Sequence, residues 1–155
     1  MDLLTLIGLL GETPDSEKAR PVFSHFPSLN TTVSSFSTHG VTLTETLLSS
    51  RDYGFEARLA SSGKIITIYL MGAGNKGFGE LPYPLADGLR FGASQYAVEA
   101  KFGSPHWSMS STHIPVILHE AGKVIRYDRP GNTLYFQFDL HDGLLRQVAA
   151  DLLIG

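Results

Sequence analysis

The sequence predicts an α+β fold: a single twisted antiparallel sheet of six to seven strands in two meanders, with helices over residues 13–26 and 94–102 on one face. Three observations carry that reading. Strand-like runs with hairpin-length gaps lie on both sides of the chain's centre. Between them stands one well-marked helix, with Ser94 placed as its N-cap and Gly103 followed by Pro105 as its stop. The chain has 155 residues, 43% of them apolar and 17% charged, which suits one domain that builds its own core.

The first ten residues, Met-Asp-Leu-Leu-Thr-Leu-Ile-Gly-Leu-Leu, are apolar but open with an acid and lack a basic leader and a small-residue cleavage site. The run is about half of the ~20 residues that span a bilayer, so it reads as a packed segment or first helix and no membrane partner is expected. Thr13 is placed as a cap, Pro14 at the first helical position and acids in the first turn, while Pro21 should end or kink the helix. Phe23, Phe26 and Leu29 then carry the chain onto the core. Residues 30–40 are polar and Ser/Thr-rich and read as an extended connector.

Residues 41–47 and 55–59 alternate apolar with polar, and 64–71 is β-rich on both faces, so the three read as antiparallel strands with the last of them central to its half. Ser49 to Asp52 and Ser61 to Gly63 have turn composition. The central helix follows, its Val98 and Phe102 four apart on one face. A second meander takes residues 123–127, 133–138 and 144–152, with Pro130-Gly131 where a type II turn wants them and Asp142-Gly143 as a hairpin signal. Leu134, Phe136 and Phe138 share the buried face, and Tyr135 and Gln137 point the other way.

Two connections, 72–92 and 104–122, are longer than a compact domain requires, and such loops tend to carry function. Composition narrows what that function is. Without cysteine there is no disulfide or thiolate metal site, which fits a reducing compartment and points to the cytoplasm. A net charge of −3 with scattered Lys and Arg offers no footprint for nucleic acid.

Candidate chemistry is thin. Gly72-Ala-Gly-Asn-Lys-Gly77 matches the dinucleotide fingerprint, but Phe78 to Pro84 cannot begin the helix that would bind a pyrophosphate, so no cofactor is expected. His106, His113 and His119, with Glu120, have ligand chemistry at spacings that fit no standard zinc motif, and a small metal-dependent hydrolase using them is the rival from the enzyme class. The hydroxyls of residues 108–112 lack a nucleophile elbow. Asp52, Glu56, Glu80, Asp87 and Asp128 are not paired by any pattern, and Arg126 with Asp128 reads as a cross-strand charge pair. Trp107 is the only tryptophan and lies in a long loop; it either closes the core or serves as a contact anchor, as do Phe78 and Tyr83 in the other loop.

The order Gly79-Glu-Leu-Pro82, Gly88-Leu-Arg-Phe-Gly92, a helix with Val98, Phe102-Gly-Ser-Pro105, Arg126-Tyr-Asp128 and Leu134-Tyr-Phe-Gln-Phe138 resembles a family of small bacterial immunity proteins, most densely over residues 79–148, with a weaker echo at Leu9-Leu-Gly11. The resemblance implies a non-enzymatic protein that binds and neutralises a cognate toxin, with no catalytic residue. Phe78, Glu80, Tyr83, Asp87, His106 and Trp107 are then the expected toxin-binding residues, in a monomer or a homodimer. The pattern is also similar to the BamE-like envelope-assembly domains, which are usually anchored through a cysteine that is absent here.

Overall fold

Residues 1–109 and 121–153 are described by the computed structural model. All strand pairings within them are antiparallel and form one eight-stranded sheet. In chain order the strands are β1 (Asn30–Thr38), β2 (Val41–Ser50), β3 (Phe55–Leu59), β4 (Ile65–Met71), β5 (Trp107–Met109), β6 (Ala121–Arg129), β7 (Asn132–Asp139) and β8 (Leu145–Leu152). Across the sheet they run β1-β2-β3-β4-β8-β7-β6-β5. Two meanders therefore meet where β4 pairs with β8, and β4 is buried toward both faces, as its apolar residues on both sides required.

Register fixes which side chains share a face, because directly opposed residues point the same way. Phe55 opposes Leu70, Leu70 opposes Val148, and Val148 opposes Phe136. All four are essentially inaccessible to solvent. Helix α2 (Ala19–Phe23) sets Phe23 edge-on against Phe55 at 5.7 Å, and α3 (Gln95–Phe102) sets Phe102 5.0 Å from Phe136. Both helices thus rest on this face. The first helix, α1 (Leu3–Ile7), is capped by the Asp2 carboxylate and adds Leu3 and Leu6 to the same core. Alternation delivers the expected burial of Leu134, Phe136 and Phe138.

The central helix has the cap and stop read from the sequence. Ser94 accepts the Ala97 N–H at 3.2 Å, and Gly103 ends the helix at φ 83°. The Pro130-Gly131 turn is also as read, with Gly131 at φ 83°.

Several expectations are corrected. The sheet has eight described strands, not six to seven, because residues 30–38 are β1 and not a connector, and residues 107–109 form a short edge strand. The helix expected over 13–26 is reduced to five residues. Thr13 does not cap it: its hydroxyl donates to Asp15, while Ser16 accepts the Ala19 N–H. Pro21 neither ends nor kinks the helix, since it sits in the first turn, where no N–H is needed. Arg126 and Asp128 pair along one strand, 3.2 Å apart, and not across two. No described helix is long and apolar enough to cross a membrane.

The long connection over 72–92 is not a free loop. Phe78, Leu81, Leu85 and Leu89 are buried, so it is a lid on the core. Its close packing shows at Gly54 and Gly79, where an added Cβ would run into backbone oxygens: that of Gly79 from Gly54, and that of Asp52 from Gly79.

Candidate functional site

With the helices on one face, the other face of the sheet carries the alternate residues. From β7 and β8 these are Tyr135 opposite Ala149 and Gln137 opposite Gln147. From β6 they are Arg126 opposite Tyr135 and Val124 opposite Gln137. The short edge strand completes the set by opposing Trp107 to Arg126 and Met109 to Val124. All of these but Arg126, which stands at the edge, line a groove of about 410 Å³. Its floor is apolar, and Gln137, Gln147 and Asp151 supply polar groups beside it. Asp151 is already engaged, accepting the Thr67 hydroxyl at 2.7 Å.

At the groove's edge the Arg126 guanidinium lies 5.3 Å from the Trp107 ring centre, a cation–π contact, while its Nε reaches the Asp128 carboxylate. The carboxylate and the indole hold the arginine in place, and the arginine holds the indole. Trp107 remains 37% exposed. A partly exposed indole beside an apolar floor is suited to accept an apolar or aromatic side chain, with the half-buried Gln137 amide beside it for a backbone or polar group.

His106 points elsewhere. Its Nδ1 accepts the Asp128 N–H at 3.1 Å and its ring stands edge-on to Tyr127 at 6.3 Å. The Tyr127 hydroxyl donates to the Gly103 carbonyl at 2.8 Å, and burial, with Glu99 adding to it, pushes its pKa up to about 12. That phenol stays protonated and serves as a structural donor that ties β6 to the end of α3. His113, His119 and Glu120 lie outside the described residues. Among the described residues no group of three or more His, Cys, Asp or Glu is placed to hold a metal ion.

A second cleft, about 380 Å³, lies at the end of the sheet and takes in Gly72, Gly74, Glu80, Asp142 and Arg146. The glycine run that matched a nucleotide fingerprint borders it, but the run ends in a three-residue 3₁₀ turn (Asn75–Gly77), and an extended Phe78 follows. Asn75 organises the cleft wall: its amide donates to Gln147 at 3.0 Å, and its carbonyl oxygen accepts from Arg146 Nε at 3.1 Å. Arg146 also reaches Asp139 at 3.3 Å. Backbone N–H groups of His141 and Asp142 point at the Asp139 carboxyl and hold its pKa below the usual carboxylate range.

The six residues read as contacts do not gather on one patch. Phe78 is buried, with the Arg51 guanidinium 4.5 Å from its ring centre, so it works inside the fold. Tyr83 stands edge-on to Phe26 and Tyr53, and its hydroxyl donates to the His25 carbonyl at 3.0 Å, on the helix side of the sheet. Glu80 is exposed at the end-of-sheet cleft, and Asp87 is exposed in the tight turn that Ala86 and Leu89 bridge. His106 and Trp107 are sequence neighbours with different surroundings, the first against Tyr127 and the second beside Arg126 in the groove.

Sequence reading missed Arg126, Met109, Val124 and Ala149 as parts of a surface. The signal was present in the outward alternation of Tyr135 and Gln137, but only strand order reveals which neighbours stand beside them. No family model, curated protein or solved structure matches this chain. The fold and groove define the class: an α+β protein with one antiparallel sheet, helices on one face and an open, aromatic-edged groove on the other.

Proposed function

We propose that this is a non-enzymatic immunity protein that binds and neutralises a cognate bacterial toxin in the cytoplasm, using the helix-free face of its sheet. The observation that carries the reading is the Trp107–Arg126 stack at the rim of the apolar groove. It combines two of the residue types enriched among interface hot spots, already packed against each other before any partner arrives. The family resemblance supplies the partner class. A net charge of −3 favours a basic toxin through long-range steering.

The groove changes which residues should matter. Trp107→Ala is expected to cost about 2 kcal/mol or more of affinity, roughly thirtyfold, with little effect on the melt. Tyr83→Ala acts through stability instead, because it removes a ring packed among Phe26, Tyr53 and His25. Glu45→Ala, away from the groove, should leave binding unchanged. The experiment is co-expression with the toxin-like protein of the adjacent reading frame in a sensitive cell, with a pull-down and a melt for each variant. Protection by wild type that is lost with Trp107→Ala supports the reading. Failure of the wild-type chain to bind or protect overturns it, as would a zinc-dependent rise in melting temperature that disappears when His113 and His119 are replaced by Ala.

A further inference from the structure

Strand β1 is exposed along all nine residues, on both faces. It pairs with β2 from Asn30↔Ser49 to Thr38↔Val41, but β2 pairs with β3 only over Thr46–Ser50. Residues 34–38 and 41–45 therefore form a ribbon of two strands with no third beside them among the described residues. A two-stranded ribbon is at best marginally stable in water. This one also keeps Phe36, Val41 and Leu43 exposed, as is Val33 beside it.

Edge strands are normally guarded against pairing by charge, proline, a bulge or shortness. Asn-Thr-Thr-Val-Ser-Ser-Phe-Ser-Thr has no charge and no proline, and its register with β2 is unbroken over nine residues. The opposite edge, β5, is three residues long. We propose that β1 is the seam of a homodimer, in which two copies pair their β1 strands antiparallel about a two-fold axis at Ser34 and join their sheets into one.

The register follows from the hairpin. His39 and Gly40, at φ 50° and 76°, form a two-residue turn of the type that closes with Thr38 and Val41 as a hydrogen-bonded pair. Antiparallel pairs alternate, so the even-numbered residues of β1 turn their N–H and C=O toward β2. Thr31, Val33, Ser35 and Ser37 then present theirs at the open edge. Centring the axis on Ser34 uses all four. Thr31 meets Ser37 of the second copy and Val33 meets its Ser35, which gives on the order of eight backbone hydrogen bonds.

Between these pairs Thr32 meets Phe36 and Asn30 meets Thr38, so no like charges oppose one another anywhere along the seam. That self-complementarity is why the occupant is a second copy: a closed two-fold contact needs one patch that matches itself, and β1 does so over its full length. A charged strand from another protein would find no counter-charge there.

Sedimentation of the full chain across the micromolar range should show a mass rising from 16.9 kDa to twice that value. Val33→Pro removes an N–H that faces outward, so the ladder with β2 keeps its bonds while the seam is blocked. It should sediment as a monomer with its melt preserved at low concentration. Ser34→Cys puts a thiol opposite its own copy in a non-hydrogen-bonded pair, where Cα atoms lie about 4.5 Å apart, within disulfide range. The chain has no other cysteine. With oxidised glutathione as oxidant, Ser34→Cys should yield a covalent dimer. Thr38→Cys should not, because its partner is Asn30. A wild-type chain that stays at 16.9 kDa throughout, a dimer that survives Val33→Pro, or equal cross-linking of the two cysteine variants would each overturn the proposal. So would a monomer that floats with neutral phosphatidylcholine vesicles through the Phe36 face. None of these outcomes depends on the toxin reading.

Discussion

At one edge of the sheet β5 offers three residues, and its Trp107 and Met109 are folded back into the groove on the outer face. At the other edge β1 offers nine residues, none of them buried, and its apolar side chains Val33 and Phe36 remain half exposed or more. Phe36 and Phe55 make the contrast sharp. Phe36 stands half exposed on the ribbon, whereas Phe55 is fully buried against Phe23 and Phe26. Strand geometry is the same for both; what differs is whether a second layer covers the strand. Rings from α2 and α3 meet β3, β7 and β6, and no described ring contact reaches the ribbon, so the middle of the sheet has a core and the outlying hairpin has its ladder. The surfaces left over are accordingly of two kinds: a groove with a rigid aromatic rim in the packed half, and an unguarded edge in the unpacked one.

The widest test of this contrast compares the two phenylalanines. Phe55→Ala should cost about 3–5 kcal/mol in denaturant unfolding, the range for truncating a buried aromatic. Phe36→Ala, measured in the Val33→Pro background so that no seam forms, should stay within about 0.5 kcal/mol. Similar costs for the two would mean that the ribbon is packed.

A smaller effect is expected where the lid over 72–92 meets the sheet. Gly54 sits at φ 62°, and a Cβ there would lie 2.5 Å from the Gly79 carbonyl oxygen and 2.6 Å from the Leu81 N. Gly54→Ala should cost about 3 kcal/mol, from the left-handed backbone and the displaced lid together. Gly40→Ala, also at positive φ but with nothing within 4 Å, should cost less, and equal costs would show that backbone strain alone explains both.

The smallest effect separates two hairpin turns by pH. The β7–β8 turn is held by the Asp139 carboxylate, which accepts two backbone N–H groups, whereas the β1–β2 turn at His39-Gly40 has no such group. Because the Asp139 pKa is lowered in the fold, its contribution is present above the unfolded carboxylate value and is lost as pH falls through the lower, folded one. Wild type should therefore exceed Asp139→Asn in urea midpoint at about pH 7, and the gap should narrow toward about pH 3. A gap unchanged by pH would assign the turn to the backbone alone.

Local chemistry explains which features were legible. Ser94, Gly103, Pro130 and Gly131 act within a few residues of themselves, so the helix and the turn could be read directly from the sequence. The strand over 30–38 was not legible as a strand because Ser and Thr without burial resemble a loop, and His39-Gly40 is not a familiar hairpin pair. The helix over 13–26 was over-read for the opposite reason. Its cap and proline signals were genuine in kind, but no sustained apolar face stood behind them, and tertiary packing kept only the turn that carries Ala19 and Phe23. Of the expected contacts, Trp107 stands in the groove, whereas Phe78 and Tyr83 are absorbed into packing, since exposure is a property of neighbours and not of residue type.

By itself the sequence determined what period and local hydrogen bonding can encode: an antiparallel α+β sheet, the capped central helix, the inward set of Leu134, Phe136 and Phe138, and the outward set that includes Tyr135 and Gln137. Only the tertiary structure decided that β4 joins β8, which side chains from four different strands line one groove, and that β1 pairs on one edge alone among the described residues. Those outcomes depend on which distant segments lie side by side, and hydrophobic burial selects that arrangement over the whole chain at once.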